Sequence, residues 1–266
     1  MPRRSARDRL HWESTGEGTT VLLITGLGLS GGAWWRTVPV LARRFRVLTF
    51  DNRGVGRSRA SSCSYTTEAM ADDAVSVLDA AGVSRADVYG FSLGGMAAQQ
   101  LALRYPERVR RLVLGATQPG GPRALPPDDQ TLGFIRRRSE LTDEEAAWAS
   151  VPYNYGPACR RRHGARIAED IAARIACPFS PDAYRAQLYA ASLHNCLGRL
   201  DRIHAPTLVV HGQHDRMIPV RNAELMAERI PGAELRILEH SGHLYPTEEP
   251  RVDEAISAFL AAAEQA

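Results

Sequence analysis

Gly90-Phe91-Ser92-Leu93-Gly94-Gly95 sets a serine between two glycines, each two residues away, where an apolar run ends and a helix-forming run begins. A serine on so sharp a strand-to-helix turn presents its hydroxyl above the sheet edge, where it can act as a nucleophile. The pattern is short enough to arise by chance, and the same serine can simply cap a helix. An unactivated hydroxyl needs a base, a group that orients the base, and donors for the oxyanion it creates. The rest of the chain must supply all three if Ser92 is to react.

His243, in Glu239-His240-Ser241-Gly242-His243-Leu244, is the candidate base. Imidazole titrates near neutrality, so it can take a proton and return it. His240 competes but lies nearer the end of the preceding strand pattern. Asp215, in His211-Gly212-Gln213-His214-Asp215, is the candidate orienting acid, although a turn or N-cap aspartate is the ordinary alternative. It follows an apolar strand pattern, and the loop after residues 112–114 offers no competing carboxylate. Two backbone amides are candidate oxyanion donors. One is that of Leu93, after the nucleophile; the other is that of Leu27, in the glycine loop Thr25-Gly26-Leu27-Gly28.

These residues sit at the ends of elements that alternate in type. Residues 21–24, 47–50, 86–91, 112–114 and 207–210 are short apolar runs of the kind that form strands buried on both faces, and Leu235-Arg236-Ile237-Leu238 reads as the last strand. Amphipathic segments at 34–43, 67–81, 95–104, 220–229 and 251–263 separate them, predicting a mainly parallel sheet with helices on both faces. The rhythm stops over 120–202, which opens, just after Pro119, with Gly120, Gly121, Pro122, Pro126 and Pro127 and then reads as helical pieces, the best at 165–176 and 182–197. This predicts a core of 1–119 and 203–266 interrupted by a helical cap of 120–202.

Composition narrows the function. At 266 residues and 44% hydrophobic, the chain can bury a large core. All 33 basic residues are Arg, a bias expected of GC-rich coding such as an actinobacterium's, and the net charge of +3 gives no case for nucleic acid. The absence of Lys removes a P-loop, and no ordered ribose-binding half follows the glycine loop to suit a dinucleotide. No apolar run is long enough for a membrane span, and the basic N-terminus leads into polar sequence, so cytoplasmic residence is expected. Cys63, Cys159, Cys177 and Cys196 lack metal-ligand spacing, so neither a metal nor a disulfide framework is expected.

Taken together, the glycine loop with Trp34 or Trp35 downstream, the Asp51-x-Arg53-Gly54-x-Gly56-x-Ser58 loop, the serine turn, His211-Gly212-x-x-Asp215 and Gly242-His243 resemble the α/β-hydrolase superfamily. The nearest resemblance is to small bacterial esterases, enol-lactone hydrolases and cofactor-free haloperoxidases. It covers all but the cap and implies a mostly parallel sheet of eight strands, a Ser92-His243-Asp215 triad and no cofactor. Many relatives carry His-Gly where this chain has Thr25-Gly26. Asp51 and Arg53 are read as structural.

The cap's inward face should select the substrate. Trp34, Phe91, Met96, Trp148, Tyr153 and Tyr189 are candidate pocket residues, in a cap that also carries Tyr155, Phe179 and Tyr184. The expected partner is a small-molecule ester or lactone, and a homo-oligomer is left open. The same groups would also serve a perhydrolase or haloperoxidase, a C–C bond hydrolase or a natural-product tailoring enzyme. A ligand-binding receptor on the same fold would have no need of the triad. Arg136-Arg137-Arg138 and Arg160-Arg161-Arg162 read as a solvated face, with attraction of anionic substrates as the alternative.

Overall fold

The apolar runs alternate in the direction their side chains point, and that alternation builds two core layers around one sheet. A computed structural model describes residues 10–58, 65–176 and 180–262. The strands are β1 (Trp12–Thr15), β2 (Thr20–Ile24), β3 (Arg46–Phe50), β4 (Ala86–Phe91), β5 (Val109–Gly115), β6 (Thr207–Gly212) and β7 (Glu234–Leu238). They lie in the order β1-β3-β2-β4-β5-β6-β7, with β1 antiparallel to β3 and every other pair parallel.

The outer helices are α1 (Val38–Leu41), α2 (Thr67–Ala80) and α3 (Leu93–Arg104). Between β5 and β6 the cap supplies α4 (Asp129–Arg137), α5 (Asp143–Ala149), α6 (Val151–Asn154), α7 (Pro157–Arg162), α8 (Gly164–Ile175) and α9 (Pro181–Leu193). The chain then adds α10 (Arg221–Arg229), α11 (Tyr245–Glu248) and α12 (Val252–Ala261). Leu22, Ile24, Leu48, Val88 and Leu112 pack on one face against α2, α3 and α10. Val21, Leu23, Val47, Tyr89 and Val113 pack on the other against α1, α11 and α12.

Seven strands are present among the described residues, where the resemblance implied eight. The edge strand β1 was not anticipated because three of its four residues are exposed and polar, which leaves no apolar run. The segment expected to be one helix at 34–43 is a 3₁₀ turn, Gly31–Trp34, followed by α1, whose first turn holds Pro39. Strand β5 begins at Val109, before residue 112, because Arg110 and Arg111 break its apolar run; its register against β4 shifts across them. Cys159 and Cys196 are free thiols; Cys63, Cys177 and Phe179 lie outside the described residues. No helix among the described residues is long and apolar enough to cross a membrane.

Candidate active site

Ser92 stands between β4 and α3 with φ 55° and ψ −120°, a conformation that costs a non-glycine residue about 1–3 kcal/mol. The turn holds because its neighbours have no side chains. A Cβ on Gly94 would lie 2.1 Å from the Ile24 carbonyl oxygen, and one on Gly90 would lie 2.4 Å from the Gly94 carbonyl oxygen. Gly95 is confined too, by Thr117, whose hydroxyl donates to the Ser92 carbonyl at 2.7 Å. Gly94→Ala should therefore cost about 3 kcal/mol or more of stability. A urea midpoint equal to that of the wild type would contradict this packing.

The three residues sought in the sequence meet. His243 Nδ1 donates to Asp215 Oδ2 at 2.7 Å, and Ser92 Oγ lies 3.2 Å from His243 Nε2, which is free to accept its proton. His240, the competing histidine, is exposed. The loops bearing acid and base touch so closely that a Cβ on Gly212 would lie 2.1 Å from the Gly242 carbonyl oxygen. Gly242 is needed for a second approach, since its Cβ would come 2.7 Å from the Gly156 amide of the cap.

Asp215 is fully supplied with donors. Ile218 N donates to Oδ1 at 2.8 Å, while Oδ2 receives His243 Nδ1 and, at 3.0 Å, His211 Nε2. Burial alone would raise its pKa, but the charge of His243 and the hydrogen bonds from His211 and His243 outweigh burial and hold the pKa at about 2. His211, in β6 and four residues before Asp215, belongs to the motif, but the sequence does not show its role. Its buried Nε2 also donates to the Ile218 carbonyl at 2.8 Å, so it binds the acid to its own loop.

Leu27 and Leu93 both border the cavity beside Ser92 and His243, and neither amide donates to a protein acceptor among the described residues. The glycine loop is held from two sides. Asn52 Nδ2 donates to the Thr25 carbonyl and hydroxyl oxygens, both at 3.1 Å, which answers the departure from His-Gly. Gln187 on α9, which the sequence did not single out, accepts from Gly28 N at 3.0 Å and donates to the Arg53 carbonyl at 3.1 Å. Asp51 and Arg53 are structural as expected. Asp51 accepts from Gly31 N and Arg57 N, and Arg53 donates from Nε and Nη2 to the two carboxylate oxygens of Asp73.

Glu248 is a second residue the motifs did not reveal. Its two oxygens accept from Gly242 N at 2.7 Å and Gly156 N at 2.8 Å, tying the loop of His243 to the cap. Burial raises Glu248 to about 7, against the pull of those two amides. A carboxyl whose folded value exceeds its unfolded one weakens the fold as pH rises between the two. Glu248→Gln should therefore gain stability relative to wild type from about pH 4.5 to pH 7 and hold a constant difference above it. Urea midpoints that run parallel across that range would contradict this.

A cavity of about 400 Å³ opens over Ser92, bordered by Phe91, Met96, Phe134, Tyr184, Leu188 and Ala191 among others. Phe91 and Met96 are where they were sought, and Phe91 also packs on the His243 ring at 5.2 Å between centroids. The other pocket expectations need correction. Trp34 lines an adjoining hollow of about 60 Å³ that shares Gly26, Leu29, Phe91, Arg174 and Leu244 with the cavity, and Tyr153 stacks on Phe134 at 4.7 Å between centroids instead of reaching the cavity. Trp148 and Tyr189 face outward, 50% and 64% exposed, because their helices bury other faces.

A parallel sheet with a nucleophile turn, an acid and a base at its strand ends defines an α/β hydrolase, and the chain belongs to the α/β-hydrolase fold family, which it matches over residues 19–250. It is 33% identical over 264 residues, 95% of this chain and 96% of the other, to a Caulobacter vibrioides protein named "Putative carbamate hydrolase RutD". A Pseudomonas aeruginosa hydrolase superposes with a TM-score of 0.82 at 31% identity, covering 95% of this chain and 94% of that one. A thermophilic esterase of Thermogutta terrifontis does so with a TM-score of 0.81 at 30% identity, covering 97% and 95%. The enol-lactonase of Burkholderia xenovorans shares the fold, with a TM-score of 0.85 at 24% identity over 97% of this chain and 99% of that one.

Proposed function

We propose that this hydrolase cleaves a carboxylic ester or lactone through an acyl-enzyme on Ser92. His243 Nε2 takes the Ser92 hydroxyl proton as Oγ attacks the carbonyl carbon. Asp215 keeps His243 in the tautomer whose Nε2 can accept, and stabilises the imidazolium that forms. The amides of Leu27 and Leu93 receive the oxyanion. The imidazolium returns the proton to the leaving oxygen, and water then resolves the acyl-enzyme with His243 again as base. No cofactor enters these steps, and the partner is a small molecule. The observation that carries this reading is the unbroken hydrogen-bond succession from Asp215 through His243 to Ser92, opening on a largely apolar cavity.

The relationship to RutD favours a second substrate class, a carbamate, whose carbonyl would meet the same groups. A panel of esters, lactones and carbamates matched in chain length tests the choice. Highest kcat/KM on an ester or lactone supports the primary reading; highest kcat/KM on a carbamate replaces it. Acetate with peroxide, added in a parallel arm, tests the perhydrolase alternative by peracid formation.

A further inference from the structure

Two guanidinium groups, Arg138 and Arg174, border the cavity over Ser92, and no carboxylate does so among the described residues. They come from separate parts of the cap, Arg138 from the 3₁₀ turn Arg138–Glu140 and Arg174 from the last turn of α8. Arg138 lies over the Tyr184 ring, 5.0 Å from its centroid. Burial lowers Arg138 to about 10; Tyr184 and the Asp143 carboxylate oppose the fall and the charge of Arg174 adds to it, so the two cations feel one another. Arg174 Nη1 donates to Ser150 Oγ at 3.2 Å, and its buried Nε meets no acceptor. Asp170, one turn earlier on α8, is taken up by Arg36, Tyr155 and Thr247.

An apolar acyl group would need neither cation. A guanidinium whose buried Nε meets no acceptor, set on a partly dry wall beside a second cation, is relieved by an anion that reaches it. Guanidinium groups also match a carboxylate in shape and donate charge-assisted hydrogen bonds to it. We propose that Arg138 and Arg174 form a carboxylate-recognition site in the substrate cavity, so that the preferred ester or lactone bears a free carboxylate. This rests on the hydrolytic reading of Ser92 given above. Arg136 and Arg137, their exposed neighbours, take no part.

The test compares an aryl hydrogen adipate with the corresponding aryl methyl adipate, which differ in charge at the far end of the chain. Wild-type kcat/KM should favour the charged ester by about tenfold or more. Arg138→Gln and Arg174→Gln should each bring that ratio toward one, whereas Arg174→Lys, which keeps the charge, should retain most of it. A wild-type ratio of one or below, or a ratio that survives both glutamine variants, overturns the site. Binding is read separately on Ser92→Ala. Adipate should raise its thermal midpoint, adipamide should not, and adding Arg174→Gln should abolish the rise. A rise without hydrolysis of either ester by the wild type upholds the anion site and sinks the hydrolytic reading. Equal hydrolysis of both esters with no rise does the reverse.

Discussion

Replacing Ser92 with alanine should lower kcat/KM on an activated aryl ester by about 10⁵-fold or more, because no other hydroxyl is placed to take over the attack. Thr117, the nearest alternative in the turn, spends its hydroxyl on the Ser92 carbonyl. The loss should come without unfolding. Ser92 Oγ hydrogen-bonds only to His243 Nε2 among the described residues, while the turn is held by the backbone and the surrounding glycines. The thermal midpoint should stay within a few degrees of wild type, so that activity and stability separate. A purified, folded variant that keeps more than a tenth of wild-type kcat/KM would remove Ser92 from the mechanism.

Asp215→Asn should cost about 10⁴-fold in kcat, with KM changed far less. Asp215 Oδ2 receives two N–H donors, from His243 and His211. An amide nitrogen placed there would face both with donors of its own. His243 can escape only by moving its proton to Nε2, the atom that must accept from Ser92. With the amide turned the other way, the nitrogen faces Ile218 N, which now donates to Oδ1. Either orientation leaves a buried donor unmatched, at a cost of about 1–3 kcal/mol.

The pH response of the same variant has a definite sign. Asp215 is held at about 2 in the fold, below the 3.8 of a free aspartate. The stability it contributes is present above about pH 4 and lost as pH falls through 2. Asp215→Asn should therefore flatten the acid limb of the stability curve as well as lower its plateau. Turnover near wild-type levels would show that His243 is oriented by something other than this carboxylate.

Ser92, Asp215 and His243 are legible in the sequence because each follows a strand pattern, buried for β4 and β6 and mostly exposed for β7, and each loop holds a glycine that close approach requires. The parallel core was legible for a related reason, since a strand covered on both faces leaves a continuous apolar run. Edge strand β1 left none, and the boundaries of β5 were blurred by Arg110 and Arg111. The residues that support the site were hidden because their partners are distant in sequence. Glu248 binds backbone amides 6 and 92 residues away, and Gln187 joins loops 159 and 134 residues away. No local pattern announces such a bond.

The cap was readable as helical but not as a surface. A modest rotation of a cap helix decides whether an aromatic faces the cavity or the solvent, and aromatic residues occupy both faces of α9. Tyr184, Leu188 and Ala191 do share the inward face of α9, as their spacing implied, while Tyr189 on that helix points out. The Arg runs show the same effect. Arg138 reaches the cavity while Arg136 and Arg137 remain exposed. An actinobacterial source was inferred from the Arg-only composition; the Caulobacter and Pseudomonas relatives are proteobacterial.

The central claim is that the Asp215–His243 pair makes Ser92 Oγ nucleophilic. Intact-protein mass after reaction with a fluorophosphonate, followed by peptide mapping, tests it most directly. A single adduct on the peptide holding Ser92, absent from Ser92→Ala and formed far more slowly by Asp215→Asn, is the expected result. A folded wild-type protein that stays unlabelled, or carries its adduct on another residue, would contradict it.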